Sequence, residues 1–492
     1  MIPTYETAAA LGLATIVCLT VRGVYLAFLH PLAKIPGPKL YALTDWIYLC
    51  YVAFGIWPYK LKKLHEKYGS TVRFSPNEIS TIHPEAWKQV YGHKKETSQQ
   101  FLKDPDFYDA SATPVKDIIH ADNDGHKRMR RVMAHAFSEK ALRGQSDILN
   151  HHVNHFISGI AERMGQGPVD ITLWYTFATY DVVGDLAFGQ SFGCLEKGVF
   201  DPAVASVQNS IKFGTVGQIV IRHPWVAPFF NLFVPRHIVH DFEYNIQRGE
   251  QIVKDRIDGI VKGPEHQDLL DLVLRHNDEK GLSRDEIATN ATTLIIAGSD
   301  TTGSILAGTT YNILMNREKY DRLVGEIRER FASEEEINIG TVNDLPYLLA
   351  VFDESFRLYP PVPVGLPRVT PPGGCFIDGY FLPENSKVSI PHLTAYHFPG
   401  FWTDPEKFIP ERWLGDARYA DDRRDILHPF STGPRNCIGK NLAYAEMRLI
   451  MTRLLWRFDL HIRPESQGWH DQRIYFAWEK GPLMVDVTAV KR

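Results

Sequence analysis

The segment Phe430-Ser431-Thr432-Gly433-Pro434-Arg435-Asn436-Cys437-Ile438-Gly439 sets one cysteine between two glycines, just before the helical run KNLAYAEMRLIMTRLL. Gly433 allows a tight turn, and Gly439 removes a side chain where something flat must press on the helix start. Unpaired N–H groups and the dipole at a helix N-terminus favour a thiolate there. One thiolate, with no companion cysteine and no nearby HxxxH pair, cannot build a structural zinc site. It can be the single protein ligand of a haem iron, pushing electron density toward O–O cleavage. The bland alternative is an inert buried cysteine.

A second group is Ala297-Gly298-Ser299-Asp300-Thr301-Thr302. Glycine inside a helix costs about 1 kcal/mol against alanine, and Asp and Thr are also poor helix formers. Such faults in an otherwise apolar helix mark a functional site. Gly298 lets a ligand approach the backbone, and Asp300 with Thr301 can relay protons to it. The alternative is a Ser/Thr-rich helix packed on its neighbours. Three further marks are weak alone. Glu354-Ser355-Phe356-Arg357 puts opposite charges at i and i+3, which by default is a solvated pair. Phe408-Ile409-Pro410-Glu411-Arg412-Trp413 reads as a Pro-bounded loop with a second arginine, and His126-Lys127-Arg128-Met129-Arg130-Arg131 as a solvated basic turn.

The elements that must position these groups are mostly helices. Helical patterning dominates from Pro58 to Leu358, with no internal repeat and no low-complexity tract. Ser283-Arg284-Asp285-Glu286 has the capping-box pattern and opens a helix of about 30 residues that carries Asp300 and Thr301. After Leu358 a Pro/Gly-rich extended stretch, Pro360 to Gly374, leads to apolar runs around Asp378-Gly379, a hairpin signal. Helix returns after Cys437, and the tail from Ile474 to Val487 reads as two strands around Lys480-Gly481. The expected fold class is mainly α with a minor β part.

At the N-terminus, Thr7 to Leu29 is long enough at about 1.5 Å per residue to span a bilayer core of about 30 Å. Arg22 lies near its far end, where it can snorkel to the headgroups. No basic stretch precedes the run and no clean A-x-A site follows, which argues against a cleaved signal peptide. Positive charge gathers at the far end of the span and beyond it, at Arg22, Lys34 and Lys39, so the remainder is expected to be cytosolic. The expected organisation is a transmembrane anchor over 1–30, a Pro-rich hinge over 31–40 and one large domain over 41–492. Trp46 to Trp57 is too short to span and is expected as a helix on the core or on the membrane surface. The 492 residues carry a net charge of −4 and five scattered cysteines. That excludes a protein built chiefly to bind nucleic acid and a disulfide-framed secreted domain.

The pattern F430xxG433xR435xC437xG439 resembles the haem-binding loop of the cytochrome P450 monooxygenases. The resemblance runs in order along the chain. Ala297–Thr302 matches the family's oxygen-activation stretch, Glu354-x-x-Arg357 its helix motif, and Pro410-Glu411-Arg412-Trp413 the segment whose arginine completes a Glu-Arg-Arg set. There is one departure: many members carry Trp where this chain has His126, whose N–H can still bond a haem propionate. The segments His30–Lys39, His135–Leu142 and Phe188–Glu196 are similar to filamentous-fungal members that tailor secondary metabolites, isotrichodermin 15-hydroxylase-like enzymes among them.

This resemblance implies haem b (iron protoporphyrin IX) with Cys437 as axial ligand. His126, Arg130, Arg368 and Arg435 are then propionate partners, and Phe430 shields the sulfur. Asp300 and Thr301 deliver protons, and Glu354, Arg357 and Arg412 hold the fold around the loop. The reaction implied is insertion of one oxygen atom from O2 into a lipophilic small molecule (a terpenoid, polyketide or alkaloid), with hydroxylation, epoxidation or desaturation as the outcome. Electrons come from NADPH-cytochrome P450 reductase, since the chain has no dinucleotide or flavin motif, and Lys127, Arg128, Arg131 and Lys440 form the docking face. The location implied is the endoplasmic reticulum membrane, single-pass, with the catalytic domain cytosolic. The pocket is expected near Asp104–Thr113, Val207–Val220, Ala291–Ala297, Val362–Leu366 and Tyr475–Trp478. Two alternatives are a reductase-independent haem-thiolate isomerase or dehydratase, which needs no Asp300–Thr301 relay, and a haem sensor, which needs an output domain. Asn290-Ala291-Thr292 matches the glycosylation sequon but falls in the long helix and is expected to be unused.

Overall fold

Ser283 caps the helix Arg284–Leu314 by a full capping box. Its hydroxyl accepts from the Glu286 N–H while the Glu286 carboxylate accepts from the Ser283 N–H. The computed structural model describes residues 5–96, 99–108, 114–200, 202–229, 236–259 and 268–490. The 31-residue central helix packs most extensively on the helix Ile171–Phe188. That partner is buried on all sides, as expected of a helix apolar around its whole circumference. Gly298 explains part of the fit. A Cβ at this position would lie 3.2 Å from a methyl of Val183. The glycine expected to admit a ligand also admits the neighbouring helix.

Strands are few and short. β1 (Thr71–Ser75), β2 (Glu78–Thr81), β3 (Leu102–Lys103), β5 (Arg368–Val369) and β8 (Lys387–Ser389) form one sheet in the order β1-β2-β8-β5-β3. β6 (Cys375–Ile377) and β7 (Tyr380–Leu382) form the expected hairpin. Asp378 and Gly379 both take positive φ, 50° and 75°, the requirement of the type I′ turn that Asp-Gly signals. The tail departs from expectation. Only β10 (Met484–Ala489) is a strand, and it pairs with β9 (Phe458–Ile462) and β4 (Val169–Asp170). Residues 474–483 form a loop closed by a single Ile474–Trp478 bridge. The side chains of Asp170, Lys212 and Asp300, distant in the chain, hold this loop, which no local pattern reports.

The apolar N-terminal helix runs Tyr5–Val24 and continues through Leu29, with Ala9–Leu29 long and apolar enough to cross a membrane. Its end is pinned, because Arg73 Nη1 and Lys39 Nζ donate to the carbonyls of Leu26 and Ala27 at 2.8 and 3.0 Å, the carbonyls a helix C-terminus leaves unpaired. In the Pro-rich segment after it, Leu32 and Ile35 are buried against Ile79 and Trp87. The expected short helix is present at Trp46–Ala53.

Candidate active site

The cysteine loop is a tight backbone structure. Cys437 N–H donates to Phe430 O at 2.9 Å and Asn436 N–H to Gly433 O at 3.2 Å. Gly433 has φ +76°, and a Cβ there would collide with the Tyr91 carbonyl. The turn requires glycine both for its conformation and for the approach of Tyr91. Ser431 also sits at positive φ, 58°, the kind of strain that persists where surrounding structure over-determines it. Helix Lys440–Arg457 follows, capped by Gly439. The Cys437 side chain is accessible, yet burial pushes its thiol pKa up, against smaller downward pulls from the Gly439 N–H, Arg130 and Lys440. A group deep within protein but facing open space meets both observations. The helix start alone does not make the free thiol acidic, contrary to the simplest expectation. Phe430 packs edge-on against Phe356 at 5.3 Å and also against Tyr444.

Phe356 belongs to the helix Pro346–Leu358, and so do Glu354 and Arg357. These two are not a solvated pair, because both are fully buried. Glu354 accepts from Arg357 Nε and Nη2, from Arg412 Nε, from Ile409 N–H and from Trp413 Nε1, at 2.8 to 3.1 Å. Arg357 reaches on to the carbonyls of Tyr396, Pro405 and Lys407. Arg412, also buried, pairs with Asp422. Two guanidiniums and two carboxylates balance in charge and are saturated with partners. A buried cluster of this kind tolerates no single loss. The loop expected at Pro410–Trp413 is a 3-10 turn held from both sides.

Three of the expected propionate partners converge. His126 is buried, and its pKa is pushed down to about 3, by burial first and then by Arg435, Lys103, Arg130 and Arg368. In either protonation state the ring has an N–H to donate. Arg435 is pushed down to about 10 by burial and by Arg368. Its Nη2 donates to Ala121 O and Asn123 Oδ1, but its buried Nη1 has no partner. Arg368 donates to Tyr108 Oη at 2.9 Å. Arg130 differs: both its Nη atoms hold Asn436, at 2.6 Å to the carbonyl and 2.8 Å to the side chain, so it buttresses the loop beside Cys437.

Sequence reasoning missed Lys103. It lies directly across the β3–β5 ladder from Arg368, an arrangement of like charges that destabilises a sheet. Burial, then Arg435 and Arg368, push its pKa down to about 6. Its position opposite an arginine could have been found only by knowing the strand pairing. Crowded, partly buried cations with an unpartnered guanidinium nitrogen fit a group bearing carboxylates. The accessible sulfur of Cys437 beside them fits the iron of the same group, so the residues present suit a haem.

On the central helix, Ala297 and Thr301 lie on a more accessible side, whereas Ser299 and Asp300 are buried. Thr301 Oγ1 donates to Ala297 O at 2.7 Å, so its oxygen remains free to accept from a donor on that side. Asp300 is paired with Lys480. A mostly apolar cavity is lined by Trp57, Phe107, Thr215, Val364 and Phe476 among others, with no residue of the central helix or the cysteine loop in its wall. Four of the five expected pocket segments contribute to it, and Ala291–Ala297 does not. Residues 109–113 lie outside the described residues. Tyr48, Val52 and Leu61, unforeseen, also line it. Of the expected docking residues, Arg128 and Arg131 are paired with Glu286 and Asp278, while Lys127 and Lys440 are exposed. Asn290 is buried and bonded to Glu286 O and Ile118 N–H, which leaves no access for glycosylation.

Comparison with known proteins agrees with this arrangement. The family model for Cytochrome P450 matches residues 44–486. The chain is 39% identical to Cytochrome P450 monooxygenase aclL of Aspergillus oryzae, over 97% of each chain. It is 38% identical to Trichothecene C-15 hydroxylase of Fusarium sporotrichioides, over 98% of each. It is also 38% identical to Trichothecene C-4 hydroxylase of Trichoderma arundinaceum, over 97% of each. These names lend nothing to the isomerase or sensor alternatives. With its cysteine loop, cationic cradle and buried Glu-Arg-Arg cluster, the chain belongs to the cytochrome P450 family and is a haem-thiolate monooxygenase.

Proposed function

We propose that this enzyme hydroxylates a lipophilic fungal secondary metabolite, with a terpenoid as the first candidate. The observation that carries this is the apolar cavity walled by residues from both the N-terminal half and the tail. Two relatives named as trichothecene hydroxylases direct the choice of class. Purified enzyme with NADPH and a reductase should convert a trichothecene-type sesquiterpenoid to a product heavier by one oxygen atom. Conversion of polyketide or alkaloid probes alone would overturn the terpenoid choice.

In this reading Cys437 ligates the iron, while His126, Lys103, Arg368 and Arg435 hold the propionates. Arg130 supports them through the cysteine loop, and Phe430 shields the sulfur. The bound haem supplies the activation of O2. Thr301 accepts a hydrogen bond from a water at its Oγ1, and Asp300 moves protons toward that water. The anchor over 1–30 and the hinge over 31–40 hold the domain 41–492 at the endoplasmic reticulum membrane, on the cytosolic side. Electrons come from NADPH-cytochrome P450 reductase, and the exposed Lys127 and Lys440 offer it cations. Removing residues 1–30 should move most of the protein to the soluble fraction after detergent-free lysis, with haem retained. A truncated protein found wholly in the membrane pellet would refute the single anchor.

Thr301→Ala tests the proton role. Alanine suits a helix, so folding and haem content should be preserved while NADPH is still consumed. The share of NADPH electrons recovered as hydrogen peroxide should rise and product per NADPH should fall. Positioned proton transfer is worth about 10²–10⁴-fold, with water substituting in part. Unchanged partition would reduce Thr301 to a packing group.

A further inference from the structure

The helix Pro202–Arg222 turns two stripes inward. Val216 and Ile219 pack with Tyr48, Leu49 and Trp57, as the apolar stripe of a surface helix should. Beside them Thr215, Gln218 and Arg222 recur at three and four residues, the spacing of one helix face, and all three line the apolar cavity. The wall they share is otherwise built from side chains such as Trp57, Leu61, Phe74, Val364 and Ile474. A polar stripe turned toward such a wall runs against the rule that a helix gives its polar side to water. Thr215 is buried, and the Arg222 side chain is only 7% exposed.

Arg222 gives both Nη atoms to Glu78, which also accepts from Ser75 Oγ at 3.1 Å. Its Nε is buried and holds no bond. Glu78 and Tyr48, whose ring centroid lies 5.3 Å from the guanidinium carbon, line the cavity with it. Around this pair, Arg222 Nη2 lies 3.6 Å from Asp104, and Lys387 Nζ bonds Asp104 at 2.9 Å and pairs with Asp106. Three carboxylates thus meet two cations. Burial raises the pKa of Asp104, but with Asp104 neutral the charges only balance and no cation is left over. A ligand carboxylate finds no free positive charge here, and burying an unpaired charge is costly. A hydroxyl or carbonyl oxygen can accept from the free Nε and from the Gln218 amide.

We infer that this cavity grips a lipophile already carrying neutral oxygen functions, hydroxyl or carbonyl, along one edge, and that it refuses a carboxylate. This rests on the reading of the cavity as the seat of a lipophilic substrate. Thr215 and Arg222 are seven residues apart, so the stripe spans about 10 Å at 1.5 Å per residue, room for more than one oxygen. The wall holds no residue of the central helix or the cysteine loop, so the gripped edge is the part of the molecule that is not attacked. The enzyme then works after an earlier oxygenation of the same skeleton, and that prior reaction supplies its substrate.

Equilibrium dialysis of the full-length, haem-loaded enzyme against farnesene, farnesol, the terminal diol of farnesol and farnesoic acid measures Kd on one carbon skeleton. Each hydroxyl should tighten binding by about 2- to 13-fold, the size of one net hydrogen bond. The acid should bind about tenfold or more weakly than the alcohol, because its charge has no partner. Gln218→Leu should erase the gain of the diol over the alcohol and leave farnesene binding unchanged. Arg222→Met combined with Glu78→Gln removes the pair without leaving either charge alone, and it should erase the gain of the alcohol over farnesene. A merely structural role would weaken all four probes alike with their order unchanged, and that result overturns the inference. So does native enzyme that binds farnesene as tightly as farnesol, or the acid most tightly. If the double variant does not fold, Gln218→Leu decides alone through the diol. Conversion of the trichothecene-type probe without any preference for oxygenated probes would fell this inference and leave the proposed function standing. If no farnesyl probe binds, the sesquiterpenoid choice fails, and androstane against androstanediol repeats the comparison. Equal affinity for those two, or none, overturns the inference as well.

Discussion

Cys437→His protein, reduced under carbon monoxide, should lose the absorption band diagnostic of a thiolate-ligated haem, and Cys437→Ala should lose it as well. No companion cysteine can substitute: Cys194 is buried against the helix Ile171–Phe188, and Cys18, Cys50 and Cys375 lie in other parts of the fold. The cationic cradle does not depend on the sulfur, so some haem should remain in the histidine variant with an altered spectrum. Loss of the thiolate's electron push should reduce product formation to background, the largest functional effect expected of any single change. Carbon monoxide difference spectra and haem stoichiometry on the same preparation decide the matter. A normal thiolate band in Cys437→Ala would refute the ligand assignment.

Glu354→Ala should be the most damaging change away from the haem. It removes the acceptor for five donors and leaves Arg357 and Arg412 buried with one carboxylate, Asp422, between them. Breaking a buried pair by removing one partner costs about 3–5 kcal/mol, against a total stability of about 5–15 kcal/mol. The harm should reach the cysteine loop, because Phe356 of the same helix packs on Phe430. Yield of haem-loaded protein should fall by more than about tenfold, since each 1.4 kcal/mol is a factor of ten in an equilibrium. Glu354→Gln, which keeps the shape and part of the hydrogen bonding, should be milder. Thermal unfolding and haem content of the two variants measure the difference. Native-like haem loading in Glu354→Ala would show that the cluster does not hold the loop.

By itself the sequence determined the elements whose signals are local. The capping box at Ser283, the Asp378-Gly379 hairpin and the apolar N-terminal helix each depend on residues within a few positions, and each is present. The cysteine loop was legible for the same reason, as its glycines, arginine and cysteine sit within ten residues. Tertiary structure decided what those residues touch. Glu354 and Arg357 read as a surface pair because a three-residue spacing says nothing about burial, and Arg412 reaches them only because a 3-10 turn 58 residues on is packed against their helix. Gly298 serves Val183, which is 115 residues earlier in the chain. Lys103 gains meaning only across a strand ladder from Arg368, and Lys480 only when residues 474–483 loop back to Asp300 rather than forming a strand. Charges, burial and close approach are properties of space, and spacing along a chain carries them only where the chain stays within one turn of itself.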